Sequence, residues 1–173
     1  MTPIPPEEIG INDKKVFWTS KRIARMAIFI AMSAVGAMVK VPSPTGTVAL
    51  DAAFAFFSAV AFGWKEGAIV AALGHLLTAL TTGFPLSMPM HLFIAFQMSV
   101  YVSIFQLVVK KIHVWAGVVA GIILNGPVSA VLVIPIGGVG LATVLLLPLT
   151  IGSAVNIFIA VTAYMIINKS RMI

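Results

Sequence analysis

The chain has 173 residues, of which 60% are apolar and only 9% charged, with a net charge of +6 and no cysteine. An average soluble domain carries roughly 25% charged residues, so the soluble classes are excluded; the missing thiols exclude disulfides, thiolate metal sites and a cysteine nucleophile. The basic residues flank apolar runs instead of forming a patch, which sets nucleic acid aside as a partner. Apolar runs of roughly 18 or more residues recur along the sequence, so the predicted fold class is all-α: a polytopic membrane protein built as a bundle of six transmembrane helices.

In chain order, residues 1–20 mix Pro, acid and base without a sustained period and read as an N-terminal tail. Residues 21–173 then form one transmembrane domain. Its first helix runs from about Lys21 to Lys40 and enters through Lys21, Arg22 and Arg25, whose heads can snorkel to lipid headgroups. Ala24, Ala27, Ala31 and Ala34 make a smooth stripe on it, and small residues let another membrane helix approach closely. That helix is either a neighbour within the bundle or part of another subunit.

After Lys40, the segment Val41 to Thr47 cannot be helical, because Pro42 and Pro44 restrict their predecessors and Gly46 favours a turn. It is either a plain connector or a cavity lining that offers Ser43, Thr45 and Thr47. Asp51 opens the second helix, about Leu50 to Phe62, where a carboxylate serves as a cap or as a ligand contact. Trp64, Lys65 and Glu66 mark the return to the basic side. The third helix, about Glu66 to Thr82, is smooth along Gly67, Ala71 and Gly74 and carries His75 roughly 14 Å from its start. A histidine at that depth is costly unless it faces protein or water, so it bonds another helix or a ligand.

The fourth helix, about Met90 to Val109, has His91 near its far end and Gln97 and Tyr101 one turn apart on a shared face. The fifth, about Val114 to Ile134, contains a GxxxG pair, Gly117 and Gly121. Asn125-Gly126-Pro127 follows and predicts a kink. Asn125 either satisfies the backbone groups freed there or turns toward a ligand. Pro135 to Gly140 reads as an outer turn, and a sixth run from about Leu141 to Ile167, interrupted by Pro148 and Gly152, carries Asn156 near mid-depth. Of the eleven Lys and Arg, only Lys40 falls opposite the rest. The positive-inside rule therefore puts both termini in the cytoplasm, and Trp18, Trp64 and Trp115 sit at that same boundary.

Enzyme signatures are missing: there is no HExxH, no Walker-type phosphate loop and no G-x-S-x-G. The chain is expected not to be an enzyme and to hold neither metal nor resident cofactor. What the far half offers is a sparse set of neutral hydrogen bonders: Ser43, Thr45, Thr47, His75, His91, Gln97, Asn125 and Asn156. Lys40 and Asp51 join them as candidates, and aromatic stacking falls to Phe84, Phe93, Tyr101 or a histidine. A largely apolar pocket with a few such groups suits a small, mostly neutral organic solute. The competing reading is a membrane structural or assembly subunit without a small-molecule site.

Six short helices, alanines at A-x-x-x-A spacing (Ala27, Ala31) and a polar first outer loop resemble the substrate-binding S components of energy-coupling factor (ECF) transporters. The stretches VPSPTGTVALD, GWKEGAIVAALGHLLTAL and FPLSMPMHL are similar to the branch that takes up riboflavin, pantothenate and cobalamin precursors. The resemblance spans about residues 22–168. It implies a multi-pass subunit in a bacterial plasma membrane that binds a vitamin or precursor from outside, α-ribazole being the favoured candidate. It further implies docking through Ala27, Ala31 and Ala34 on a transmembrane coupling subunit with two cytosolic ATPase subunits, which consume the ATP.

Overall fold

The computed structural model describes residues 17–39 and 49–170. Its architecture is all-helical, with six helices in chain order. These are α1 Ser20–Gly36, α2 Ala53–Phe62, α3 Trp64–Thr81, α4 Met88–Lys111, α5 Val114–Leu132 and α6 Ile134–Lys169. Three of them, α4, α5 and α6, are long and apolar enough to cross a membrane. The ten-residue α2 covers only about 15 Å, half a hydrocarbon core. Successive helices alternate in direction. Lys21, Lys65, Lys110, Lys111 and Lys169 therefore gather at one end of the bundle, called the basic end below. Trp18, Trp64 and Trp115 are all exposed there.

Smooth surfaces decide which helices meet. A Cβ on Gly67 would collide with the backbone of Ala59 on α2, and one on Gly74 would strike the Ser33 side chain of α1. The small-residue faces of α3 thus admit two neighbours at close range, and α3 also packs along α4, which makes it the central helix. Gly117 seats α5 on Val109 of α4, while Gly121 lies under Phe105 and Ile157. The core toward the basic end is dense. Phe56 and Phe105 meet edge to face at 5.0 Å, walled by Val102, Val118, Ile157 and Val161. Outside, the bundle is apolar: Phe96 is 68% exposed and Leu147 67%. Buried polar groups and a greasy exterior are the arrangement expected of a chain whose solvent is lipid.

Several expectations change in detail. The turn expected to separate the fifth and sixth helices at Pro135 to Gly140 is mostly helical, and α6 begins at Ile134. Only Gly138, at φ 75° and ψ 170°, breaks it, a conformation open to glycine and little else. The kink at Asn125-Gly126-Pro127 takes the form of a π-helical turn, Leu124–Val128. Pro127 has no N–H to donate, and the wider turn absorbs the missing bond. The second helix starts at Ala53 instead of Leu50, and Asp51 makes no capping hydrogen bond to it. Its cap comes from far away in sequence, as described below.

The basic end differs most from the expected snorkelling cations. Glu66, only 1% exposed, receives Arg25 through Nε at 2.9 Å and Nη2 at 2.7 Å. Arg22 Nε lies 3.4 Å from the same carboxylate, and the Arg25 guanidinium stacks 3.8 Å over Phe62. These arginines staple α1 to α3. A lone buried carboxylate would be very costly, and the bidentate pairing offsets that cost.

Candidate functional site

The far half of the bundle holds a cavity between the start of α2 and helices α3 to α6. It encloses about 920 Å³ of space free of protein atoms, its open mouth included. Each wall traces to a helical register. From α3 come His75, Thr78, Ala79 and Thr82, a three-four repeat that keeps one face inward. From α4 come His91, Ile94, Gln97 and Met98. The π turn of α5 supplies Asn125, with Ser129 one turn on, and α6 supplies Leu145, Leu149, Ser153 and Asn156. Asp51 and Ala52 close the α2 side.

Of the residues expected at the site, Asp51, His75, His91, Gln97, Asn125 and Asn156 line this one cavity. Tyr101 does not; it is buried one turn deeper than Gln97. Lys40, Ser43, Thr45 and Thr47 lie outside the described residues. Phe84 and Phe93 are not on the lining either, which leaves the two imidazoles as its aromatic surfaces among the described residues. The hydroxyls of Thr78, Thr82, Ser129 and Ser153 were not anticipated. Helical spacing marks them nonetheless: Thr78 and Thr82 follow His75 by three and seven, Ser129 follows Asn125 by four, and Ser153 precedes Asn156 by three.

The lining groups divide into those already engaged and those left open. Asn156 is engaged. Its Oδ1 accepts from the Ala53 N–H at 2.8 Å, and its Nδ2 donates to the carbonyls of Ala49 at 3.1 Å and Gly152 at 2.8 Å. It therefore caps α2 from α6, the role that sequence order suggested for Asp51. Asn125 donates from Nδ2 to Ser153 Oγ at 3.0 Å, tying the π turn to α6.

The histidines form a pair, with His75 Nε2 3.1 Å from His91 Nδ1. The Leu86 N–H lies 3.4 Å from His91 Nε2 and can only donate. In a neutral His91 the proton then sits on Nδ1 and is donated to His75 Nε2, which puts the proton of a neutral His75 on its own Nδ1. His91 thus fixes the loop between α3 and α4, whose Phe84 packs against the same imidazole at 5.7 Å. That loop carries positive φ at two non-glycine residues, Phe84 at 51° and Ser87 at 75°. Backbone strain of this kind persists only where surrounding structure enforces it.

Gln97 and Thr78 are the open groups. Gln97 is 4% exposed with neither Oε1 nor Nε2 bonded among the described residues, and the buried Thr78 hydroxyl lies beside the Asp51 carboxylate without a well-formed hydrogen bond. Ser58, Tyr101 and Gln106 each bury one unbonded oxygen away from the lining. Native proteins satisfy nearly all such groups, so a carboxamide with both polar atoms unbonded on the cavity lining points to an occupant.

The sequence model of the family "ECF transporter, substrate-specific component" matches residues 21–168, most of the chain. The chain belongs to that family. No curated protein and no solved structure matches it significantly. As an ECF S component it is a multi-pass membrane subunit of a transporter, not an enzyme, and it works as the substrate-binding unit beside ECF partners. The helices long and apolar enough to span a bilayer fit that assignment.

Proposed function

We propose that this S component captures a vitamin or vitamin precursor from outside a bacterial plasma membrane for ATP-driven uptake. Its basic end would face the cytoplasm together with both termini, a reading that the distribution of Lys and Arg supports. The carrying observation is the cavity in the opposite half, where hydrogen bonders from α3, α4, α5 and α6 converge on an otherwise apolar space. The cobalamin precursor α-ribazole is the leading solute, with riboflavin and pantothenate as alternatives.

The partners are a transmembrane coupling subunit and two cytosolic ATPase subunits. Ala27 and Ala31 are exposed on α1, with Ala34 half-buried above them, which suits a docking face for the coupling subunit. ATP belongs to the partner ATPases, and the S component itself uses no cofactor.

The test is thermal unfolding of the purified, vitamin-free, detergent-solubilised protein against a panel of vitamins and precursors. A ligand specific to the folded state stabilises it by RT ln(1 + [L]/Kd), about 4 kcal/mol at a thousandfold excess over Kd. One compound is expected to raise the midpoint sharply. A panel without any shift would favour a membrane assembly subunit with no small-molecule site.

A further inference from the structure

The floor of the cavity carries information about the solute. Two ties fix the depth of α4 against α3: His75 to His91 above, and Ser99 Oγ to the Ala68 carbonyl at 2.9 Å below. Gln97 lies between them. At 1.5 Å per residue it sits about 9 Å deeper along α4 than His91. Among the described residues it is the one buried side chain with two separate polar atoms unbonded, a donor nitrogen and an acceptor oxygen side by side. A carboxamide in that state can satisfy both atoms at once only with a partner that offers an acceptor and a donor side by side. A carboxylate brings acceptors alone and would face Oε1 with like polarity; an ammonium brings donors alone and would face Nε2 with the same conflict.

We propose that Gln97 is the specificity-determining residue of the cavity floor, and that the solute enters with a neutral edge presenting one donor and one acceptor on adjacent atoms. A lactam, an imide or a vicinal diol has that edge. The proposal rests on the solute-binding reading above and narrows it: an end bearing a free carboxylate stays at the mouth or is rejected. Thr78 Oγ1, beside the Asp51 carboxylate on the facing helix and nearer the mouth, accepts a second hydrogen bond from the body of the solute.

The experiment uses the full detergent-solubilised chain, wild type and Gln97→Met, with matched probes. These are α-ribazole against 5,6-dimethylbenzimidazole, which lacks the diol; lumiflavin, the riboflavin ring system without its hydroxylated chain, against its N3-methyl derivative, which blocks the imide; and pantothenate as the carboxylate. The expected result is a shift with one probe that keeps its edge and none with its blocked partner, and which pair responds tells diol from imide. Gln97→Met should weaken that binding tenfold or more while the ligand-free midpoint stays level or rises, since no hydrogen bond within the protein is removed. Gln97→Leu repeats the test should the methionine variant fold poorly.

Unchanged affinity in both variants, or a lower ligand-free midpoint with binding intact, would mark Gln97 as structural and overturn the proposal. Tight pantothenate binding indifferent to Gln97→Met would overturn it too, while leaving the solute-binding reading standing. A protein that binds no probe would sink both.

Discussion

The two ends of the bundle treat polar side chains in opposite ways. At the basic end Glu66 is almost wholly buried, yet its carboxylate holds two arginines, and Arg25 is further packed on Phe62. At the cavity end Gln97 is also buried, yet neither polar atom of its side chain finds a partner among the described residues. Burial alone therefore does not single out the cavity in this protein; two unbonded polar atoms on one side chain of its lining do.

Removing Glu66 should give the largest change. Glu66→Ala strands Arg25 among aromatic rings, and breaking a buried pair of this kind costs about 3 kcal/mol, since Arg25 keeps some solvent access. Unfolding in detergent would report the loss, and Arg25→Ala combined with Glu66→Ala should cost less than the two single losses added together. An additive double variant would show that the staple is not a coupled unit.

Asn156→Ala comes next, at about 2 kcal/mol, because it releases the cap of α2 and leaves the Ala53 N–H buried and unbonded. Unlike Glu66→Ala, it should also weaken solute affinity, since Asp51 and Ala52 at that helix start form part of the cavity wall. Titration calorimetry on the variant separates the two effects, and full affinity would mean that the α2 start is not part of the site.

Relieving strain at the cavity end should act in the other direction. Ser87→Gly removes a side chain from a positive-φ position and is expected to raise stability by about 1 kcal/mol. A fall in the melting temperature would show that the Ser87 side chain contributes an interaction outweighing the strain.

The smallest effect on the isolated protein should come from Ala31→Leu. Ala31 is exposed, so stability and solute binding should stay within about 0.5 kcal/mol of wild type. Uptake by cells carrying the complete transporter should nonetheless fail. Normal uptake would remove α1 from the docking face.

The helices were legible in the sequence because lipid-facing apolar runs and the basic residues that bracket them are local signals. Six helices, their directions and the end holding the cations all follow from such runs. His75, Gln97 and Asn125 were legible for a related reason: an isolated hydrogen bonder in an apolar helix must face something. What stayed hidden was pairing across the fold. Nothing near Arg25 announces Glu66, 41 positions away, and nothing near Ala53 announces that its cap is Asn156. Thr78 and Ser153 are ambiguous in the sequence because such hydroxyls commonly bond their own helix carbonyls, as Ser103 does at 2.7 Å to Ser99. Thr78 makes no such bond, and that only coordinates reveal.

The π-helical turn at Leu124–Val128 gives this transporter subunit an unusual kind of adjustability. A π turn holds one residue more than the α turn it replaces, and each residue rotates a helix by about 100°. Losing a single residue there would restore regular winding yet leave Ser129 and the rest of the helix in phase, because the wide turn spends its extra residue within about one revolution. Gly117 and Gly121, earlier in the same helix, would keep their seats against α4 and α6. The cavity wall at Asn125 can thus be shortened by one residue without rebuilding the bundle, so chain length acts on that patch separately from side-chain chemistry.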